Sequence, residues 1–197
     1  MKATIIIVCI LLILVFSQYM IARSTDKTEQ QTYNVLFSEN EFEIRHYPSA
    51  LIASVEHDGK TPRSGSSDNF RRLAGYIFGG NEANKQIAMT SPVHMEATAT
   101  GNKMSFVMPA EMEMNELPKP VDAGVTFSKT SDDTVAVLRF SGFASDKDIE
   151  EKTEELKKRL TDKGITYTGN FRYLGYNPPY QLVDRRNEIV VSVRWNN

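Results

Sequence analysis

The stretch Met89–Ala97, MTSPVHMEA, sets one of the chain's three histidines among methionines. Imidazole and thioether are the ligand types that hold iron in many electron-transfer centres, so His94 with a neighbouring methionine is the first grouping here able to do chemistry. The other two histidines stand alone, His46 in FEIRHY and His57 in VEHDGK. No two of the three have the spacing that puts paired metal ligands on one helix face, so no dedicated metal centre is expected. MEM at 112–114 offers two thioethers in an acidic loop, a soft pair with no further ligand beside it. Nucleophilic chemistry finds less. Ser64 to Ser67 have no adjacent His and Asp, GGNEAN lacks the lysine of a phosphate loop, and the carboxylates show no pairing logic. Cys9 is the single cysteine and lies in an apolar N-terminal run, so the rest of the chain has no disulfide, thiolate or Cys-type zinc site. These readings predict a protein that is not an enzyme.

Whether His94 and Met95 act together depends on the element that carries them. KQIAMTSPVHMEA and NKMSFVMP are alternating runs joined by TATGN, which predicts a hairpin. Period-2 alternation then puts Met89, Ser91, Val93 and Met95 on one face and Thr90, Pro92, His94 and Glu96 on the other. His94 and Met95 therefore point apart. The methionines, with Met104, Phe106 and Met108 opposite, make one apolar side and read as core filler. His94 reads as a surface or groove residue that keeps a minor claim as an axial ligand. His46 shares a face with Phe42 and Ile44 and reads as a hydrogen-bonded core histidine, with ligation the lesser alternative.

Around this hairpin the chain alternates strands and helices. EFEIRHYPSALIASVEH predicts a bent strand. Ser67 or Asp68 can open a helix carrying Phe70, Leu73, Ala74 and Ile77, stopped by Gly79-Gly80. VTFSKT and TVAVLRFSGFA are strands again. Ser145 with Asp148 forms a capping box for a helix that points Ile149, Leu156 and Leu160 inward and ends at Gly164. NFRYLGYNPPYQLV and EIVVSVRW then predict a second hairpin across DRRN. The order strand, helix, hairpin thus occurs twice. Leu73 to Pro92 and Leu160 to Pro179 are equally spaced, which aligns IAMTSPV with LGYNPPY and suggests two halves, about 33–110 and 123–197, around a pseudo-twofold axis.

With 197 residues, 41% of them hydrophobic and 24% charged, the chain can bury one core, or two lobes of one. The formal charge is −2, and removing Lys2 and Arg23 with the N-terminal segment takes the remainder to −4. No basic run appears, so no nucleic-acid partner is expected. From Ala3 to Ala22 no charge interrupts about 20 residues, enough to cross a bilayer as a helix. We read 1–24 as a membrane anchor with the folded domain on the extracytoplasmic side; export after signal cleavage at Ala22-Arg-Ser24 is the alternative. Residues 25–32 read as a polar tether, and 33–197 as the domain.

Five blocks carry a resemblance: FEIRHY at 42–47, FRRLAGYIFGGNE at 70–82 with IAMTSPV at 87–93, FVMP at 106–109, RFSGF at 139–143, and LGYNPPYQLVDRRNEIVV at 174–191. In order and spacing they resemble the SOUL/heme-binding protein family over about Tyr33 to Trp195. The resemblance implies an α+β fold, a distorted antiparallel β-barrel of about eight strands flanked by two helices. It also implies heme or a related tetrapyrrole as cofactor, bound in an apolar groove beside a helix, without a shared catalytic set or universal axial ligand.

In this chain the first helix is the candidate wall of such a groove, with Phe70, Leu73, Tyr76 and Ile77 flanked by Arg72 and followed by Lys85. Tyr173 and Tyr176, with Arg185 and Arg186 in the last turn, could complete it. Core packing and turn formation are the plain alternatives for these residues. Burying a few hundred Å² of a flat apolar ligand, at about 25 cal/mol per Å², could supply micromolar affinity after association entropy is subtracted. Two other functions compete: a protein-interaction module that keeps the fold without the ligand, and a small-molecule sensor, since the duplicated plan also resembles effector-binding domains of bacterial transcription regulators. No feature identifies a protein partner.

Overall fold

The computed structural model describes residues 2–59, 61–99 and 101–195. The chain opens with helix α1 (Lys2–Asp26), then β1 (Glu29–Gln30), β2 (Asn34–Glu39), β3 (Phe42–Tyr47), β4 (Leu51–His57) and helix α2 (Ser66–Ile77). There follow β5 (Thr90–Ser91), β6 (Val93–Thr98), β7 (Gly101–Val107), β8 (Thr126–Lys129), β9 (Asp133–Ser141), helix α3 (Asp146–Asp162), β10 (Tyr167–Gly175) and β11 (Arg186–Val193).

Nine strands form one antiparallel sheet in the order β2-β3-β9-β11-β10-β6-β7-β4-β8. Its centre is the β10–β6 pair, where Tyr173 faces Met95 and Leu174 faces His94. Reading outward, β11 corresponds to β7, β9 to β4 and β3 to β8. Each half therefore sends its first strand across to the other: β3 pairs with β9 and β8 with β4. The 19-residue spacing proves not to mark equivalent positions, because Pro92 immediately precedes β6 while Pro179 lies beyond the end of β10. Of the distorted antiparallel β-barrel that the resemblance implies, the antiparallel sheet is present, with nine strands; it does not close, since among the described residues β2 and β8, at its two ends, are not hydrogen-bonded to each other.

Alternation gives the sheet two different faces. On one, α3 packs Ile149, Leu156 and Leu160 against Phe42, Ile44, Leu138, Ile189 and Val191. On the same face α2 packs Leu73, Tyr76 and Ile77 against Ala53, Val55, Met104 and Phe106. Met95 touches both clusters and joins the halves. The other face carries no helix and has its own smaller cluster of Tyr47, Val135, Val137, Leu174, Tyr176 and Val190.

Helix α3 starts as expected: the Ser145 hydroxyl accepts from the Asp148 amide, and the Asp148 carboxylate accepts from the Ser145 amide. It ends at Asp162, and Gly164 just beyond takes a φ of +66°, which a residue without a Cβ adopts without a clash. Helix α2 differs, opening after Gly65 with no side-chain cap. The last hairpin also differs. β10 stops at Gly175 and the connection runs through 176–185, because Pro178 and Pro179 have no amide to donate to a ladder. Within residues 25–32, read as a polar tether, Glu29 to Gln31 make contacts with the domain. β1 pairs in parallel with β5, the Gln31 amide donates to Ser91 O, and Glu29 accepts from the Ala110 amide. Pro92 breaks the long strand expected here, leaving Thr90 and Ser91 to find this other partner.

Candidate functional site

Two places combine concavity or unneutralised charge with exposed apolar surface. The first is a hollow of about 280 Å³ on the helix-free face, over the central strand pair. His94 of β6 enters it beside Ser105, Arg172 and Leu174, and its Nε2 lies 3.0 Å from Gln31 Oε1. Burial, aided by the charge of Arg172, pushes the imidazole down to about 3, so His94 is neutral at physiological pH. Because its pKa falls below the unfolded value near 6.5, His94 favours folding above pH 6.5 and loses that contribution as pH drops toward 3. His94→Asn should therefore flatten the pH dependence of the urea midpoint between pH 6.5 and 4.5; an unchanged slope would mean the ring is already hydrated. Met95, on the opposite face, cannot join His94 at one ion. A second hollow of about 700 Å³ abuts this one at Gln31 and includes Met108, Met112, Met114 and Lys129.

Beside the first hollow the helix-free face holds a buried charge network. Arg45 binds both oxygens of Glu188, at 2.9 and 3.0 Å, and Arg186 binds Oε1 at 2.7 Å. Tyr176 donates to Glu188 Oε2 at 2.8 Å. Burial works against the Glu188 carboxylate, but the hydrogen bonds and charges of Arg45 and Arg186 outweigh it and hold its pKa below the usual value. Arg186 also lies 3.9 Å over the Tyr176 ring. Its charge and that of Arg45 are thus neutralised within the protein.

The second place is a side-chain cluster on the helix-bearing face, where the 176–185 connection meets the corner after β9. Tyr173 donates to Asn187 Oδ1 at 2.7 Å, and Asn187 donates to Gly142 O at 2.8 Å, fixing the Gly142-Phe143 corner. Arg185 lies 4.4 Å over the Phe143 ring and donates to Pro178 O and Gln181 O. Its Nε is buried without a partner. Arg63 is close enough to lower Arg185, adding to burial and opposed by Tyr173. Neither Arg63 nor Arg185 forms an ion pair among the described residues, although Asp146 comes near this segment through its bond to Thr61. Phe143 is 58% exposed at the rim.

The candidates from the sequence divide accordingly. Arg185 and Tyr173 come together in this cluster, linked through Asn187 and the Gly142-Phe143 corner, with the charge of Arg63 felt by both. Arg63 sits in a loop whose sequence says nothing of this neighbour, so only the tertiary fold could reveal it. Leu73, Tyr76 and Ile77 are buried in the α2 core, with Tyr76 donating to Pro118 O. Phe70 stays about one-third exposed and meets Phe106 edge-on. Arg72 is held by both oxygens of Asp122, an arrangement that lowers that carboxyl to about 2. Lys85 is exposed. His46 lies 3.6 Å from Asp132, six residues along β9 from the level of Asn187, or roughly 20 Å.

Fold and site define an α+β domain, a nine-stranded antiparallel sheet with α2 and α3 packed on one face and a hollow around His94 on the other. The chain belongs to the SOUL heme-binding protein family, whose profile matches residues 28–192. It is 31% identical over 159 residues to heme-binding protein 2 of Mus musculus, covering 75% of this chain and 76% of that protein. Heme-binding protein 1 of Xenopus tropicalis is 26% identical over 155 residues, 75% of this chain and 81% of that one. Among solved structures the EcmrR C-terminal domain superposes with a TM-score of 0.61 at 11% identity, over 83% of this chain and 99% of that one. That last likeness is one of fold.

Proposed function

We propose that the protein binds heme or a related tetrapyrrole without catalysing a reaction on it, for sequestration, transport or buffering, in the helix-flanked recess around Arg185. Family membership supports the ligand, as does the naming of its relatives as heme-binding proteins. The observation that carries the site is the pair Arg63 and Arg185, two unneutralised cations beside an exposed Phe143. A tetrapyrrole presents carboxylates at one edge and a flat apolar body behind it, which fits that combination. The buried, unpartnered Arg185 Nε is a donor such a carboxylate would satisfy. Tyr173 shapes the floor and Phe70 extends the apolar margin. Bound heme would bring its own iron; His94 is on the opposite face and His46 well removed, so the chain's part is to hold carboxylates and cover ring surface.

We further read α1 as a single-pass anchor, with the domain outside the cytoplasm. Its apolar window runs from Thr4 to Thr25, and none of its residues is fully buried by the domain. Titration with hemin, followed at the Soret band, tests the ligand. The expected result is a saturable one-to-one shift that His94→Ala leaves intact. A shift no greater than that of an inert control protein would sink the tetrapyrrole reading and favour an interaction module. The hollow lined by His94 favours a second reading, a sensor of smaller ligands.

A further inference from the structure

Helix α1 is two helices in environment. From Thr4 to Phe16 every residue is exposed, whereas Ser17, Gln18, Ile21, Ala22 and Thr25 are partly covered at helical spacing. What covers them includes the connection between β10 and β11. Gln18 Nε2 donates to Tyr180 O at 3.3 Å, the Leu182 amide donates to Gln18 Oε1 at 2.8 Å, and Thr25 donates to Gln181 Oε1 at 2.8 Å. The one amide side chain within the apolar run is thus satisfied on both ends by this loop's backbone.

These bonds fix a depth. A hydrocarbon core of about 30 Å needs about 20 helical residues, and the uncharged run from Ala3 to Ala22 is only that long. Gln18 must then lie inside the boundary, four residues from Ala22, or about 6 Å at 1.5 Å per residue. The loop bonded to it shares that depth. Its side chains suit the position: Tyr180, Leu182 and Val183 are 63, 60 and 49% exposed with no protein cover. So does its backbone, since carbonyls in a medium without water need internal donors. Arg185 binds those of Pro178 and Gln181, Gln18 that of Tyr180, and Gln181 Nε2 that of Val183.

We infer that the 178–183 loop is a lipid-docking element, its Tyr180, Leu182 and Val183 side chains inserted into the interface of the same bilayer that α1 spans. An insertion of about 5–10 Å is the usual depth for apolar groups at that boundary, and Tyr19 and Tyr180 supply aromatic rings of the kind enriched there. The consequence reaches the proposed ligand site, because Arg185 braces this loop and also lies over Phe143. Docking holds that cluster beside the headgroups, where an amphiphilic ligand concentrates. The inference rests on the reading of α1 as an anchor.

The test uses the full chain in phosphatidylcholine vesicles, with Cys9→Ala removing the native thiol and Leu182→Cys carrying an environment-sensitive fluorophore. Glu154→Cys, on the exposed side of α3, is the control. We expect protein retained through an alkaline wash, and quenching by spin-labelled lipid several-fold stronger at position 182 than at 154. Retained protein with equal quenching at both positions would overturn the docking and leave the anchor standing. Loss of the protein in the wash would overturn the anchor, and the docking with it.

Discussion

Replacing Glu188 by alanine is expected to cost the fold about 3–5 kcal/mol, read as a large drop in urea midpoint at unchanged m-value. The carboxylate is fully buried and takes hydrogen bonds from Arg45, Arg186 and Tyr176. Removing it leaves Arg45, itself only 2% exposed, as a buried cation with only the partly exposed Glu43 as counter-charge. The exposed pairs of α3 are the contrast: Lys158→Ala, which breaks the contact with Asp162, should move stability by well under 1 kcal/mol. Replacing Arg45 and Glu188 together by apolar residues of similar volume should restore only the part of the loss that comes from orphaning Arg45, because Arg186 still lacks its carboxylate. The pH dependence has a definite sign. Glu188 has a lowered pKa in the fold, so its contribution is present above the unfolded value near 4.5 and is lost as pH falls through the folded one.

The second large effect concerns the ligand. Arg63→Glu should weaken hemin binding about tenfold and Arg63→Glu with Arg185→Gln on the order of a hundredfold, taking about 1.5–3 kcal/mol per charge-assisted contact and less at the exposed residue. Arg63 is the cleaner probe, because it is exposed and makes no side-chain bond among the described residues. Arg185 also holds the loop through Pro178 and Gln181. Near-ultraviolet circular dichroism would show whether the double variant keeps its packing.

Local rules were most legible where both partners lie close in sequence. The Ser145-Asp148 box, the inward triplet of α3 and the opposed faces of His94 and Met95 follow from spacing alone, and the structure has each of them. Family membership was also readable, from five short blocks in fixed order. The strand exchange was not, because nothing within FEIRHY distinguishes pairing with β9 from pairing with β4. The recess suffered similarly. Phe70, Leu73 and Ile77 at helical spacing fit a groove wall and a core face equally, and burial of the last two is decided by β4 and β7. Arg45 and Glu188 did leave a signal, each a charge in alternation with Tyr47 or Val190 on a strand face. It becomes readable once those strands are known to share β9 as neighbour.

The central claim, that the carboxylates of a tetrapyrrole are held at Arg63 and Arg185, is tested most directly by comparing protoporphyrin with its dimethyl ester. Affinities would be measured by quenching of the single tryptophan, Trp195, or by porphyrin absorbance, in the wild type and in the Arg63→Glu, Arg185→Gln variant. The wild type should prefer the free acid by at least tenfold, and the variant should bind acid and ester alike. Equal affinity for acid and ester in the wild type, or an acid preference that survives both substitutions, would contradict the assignment.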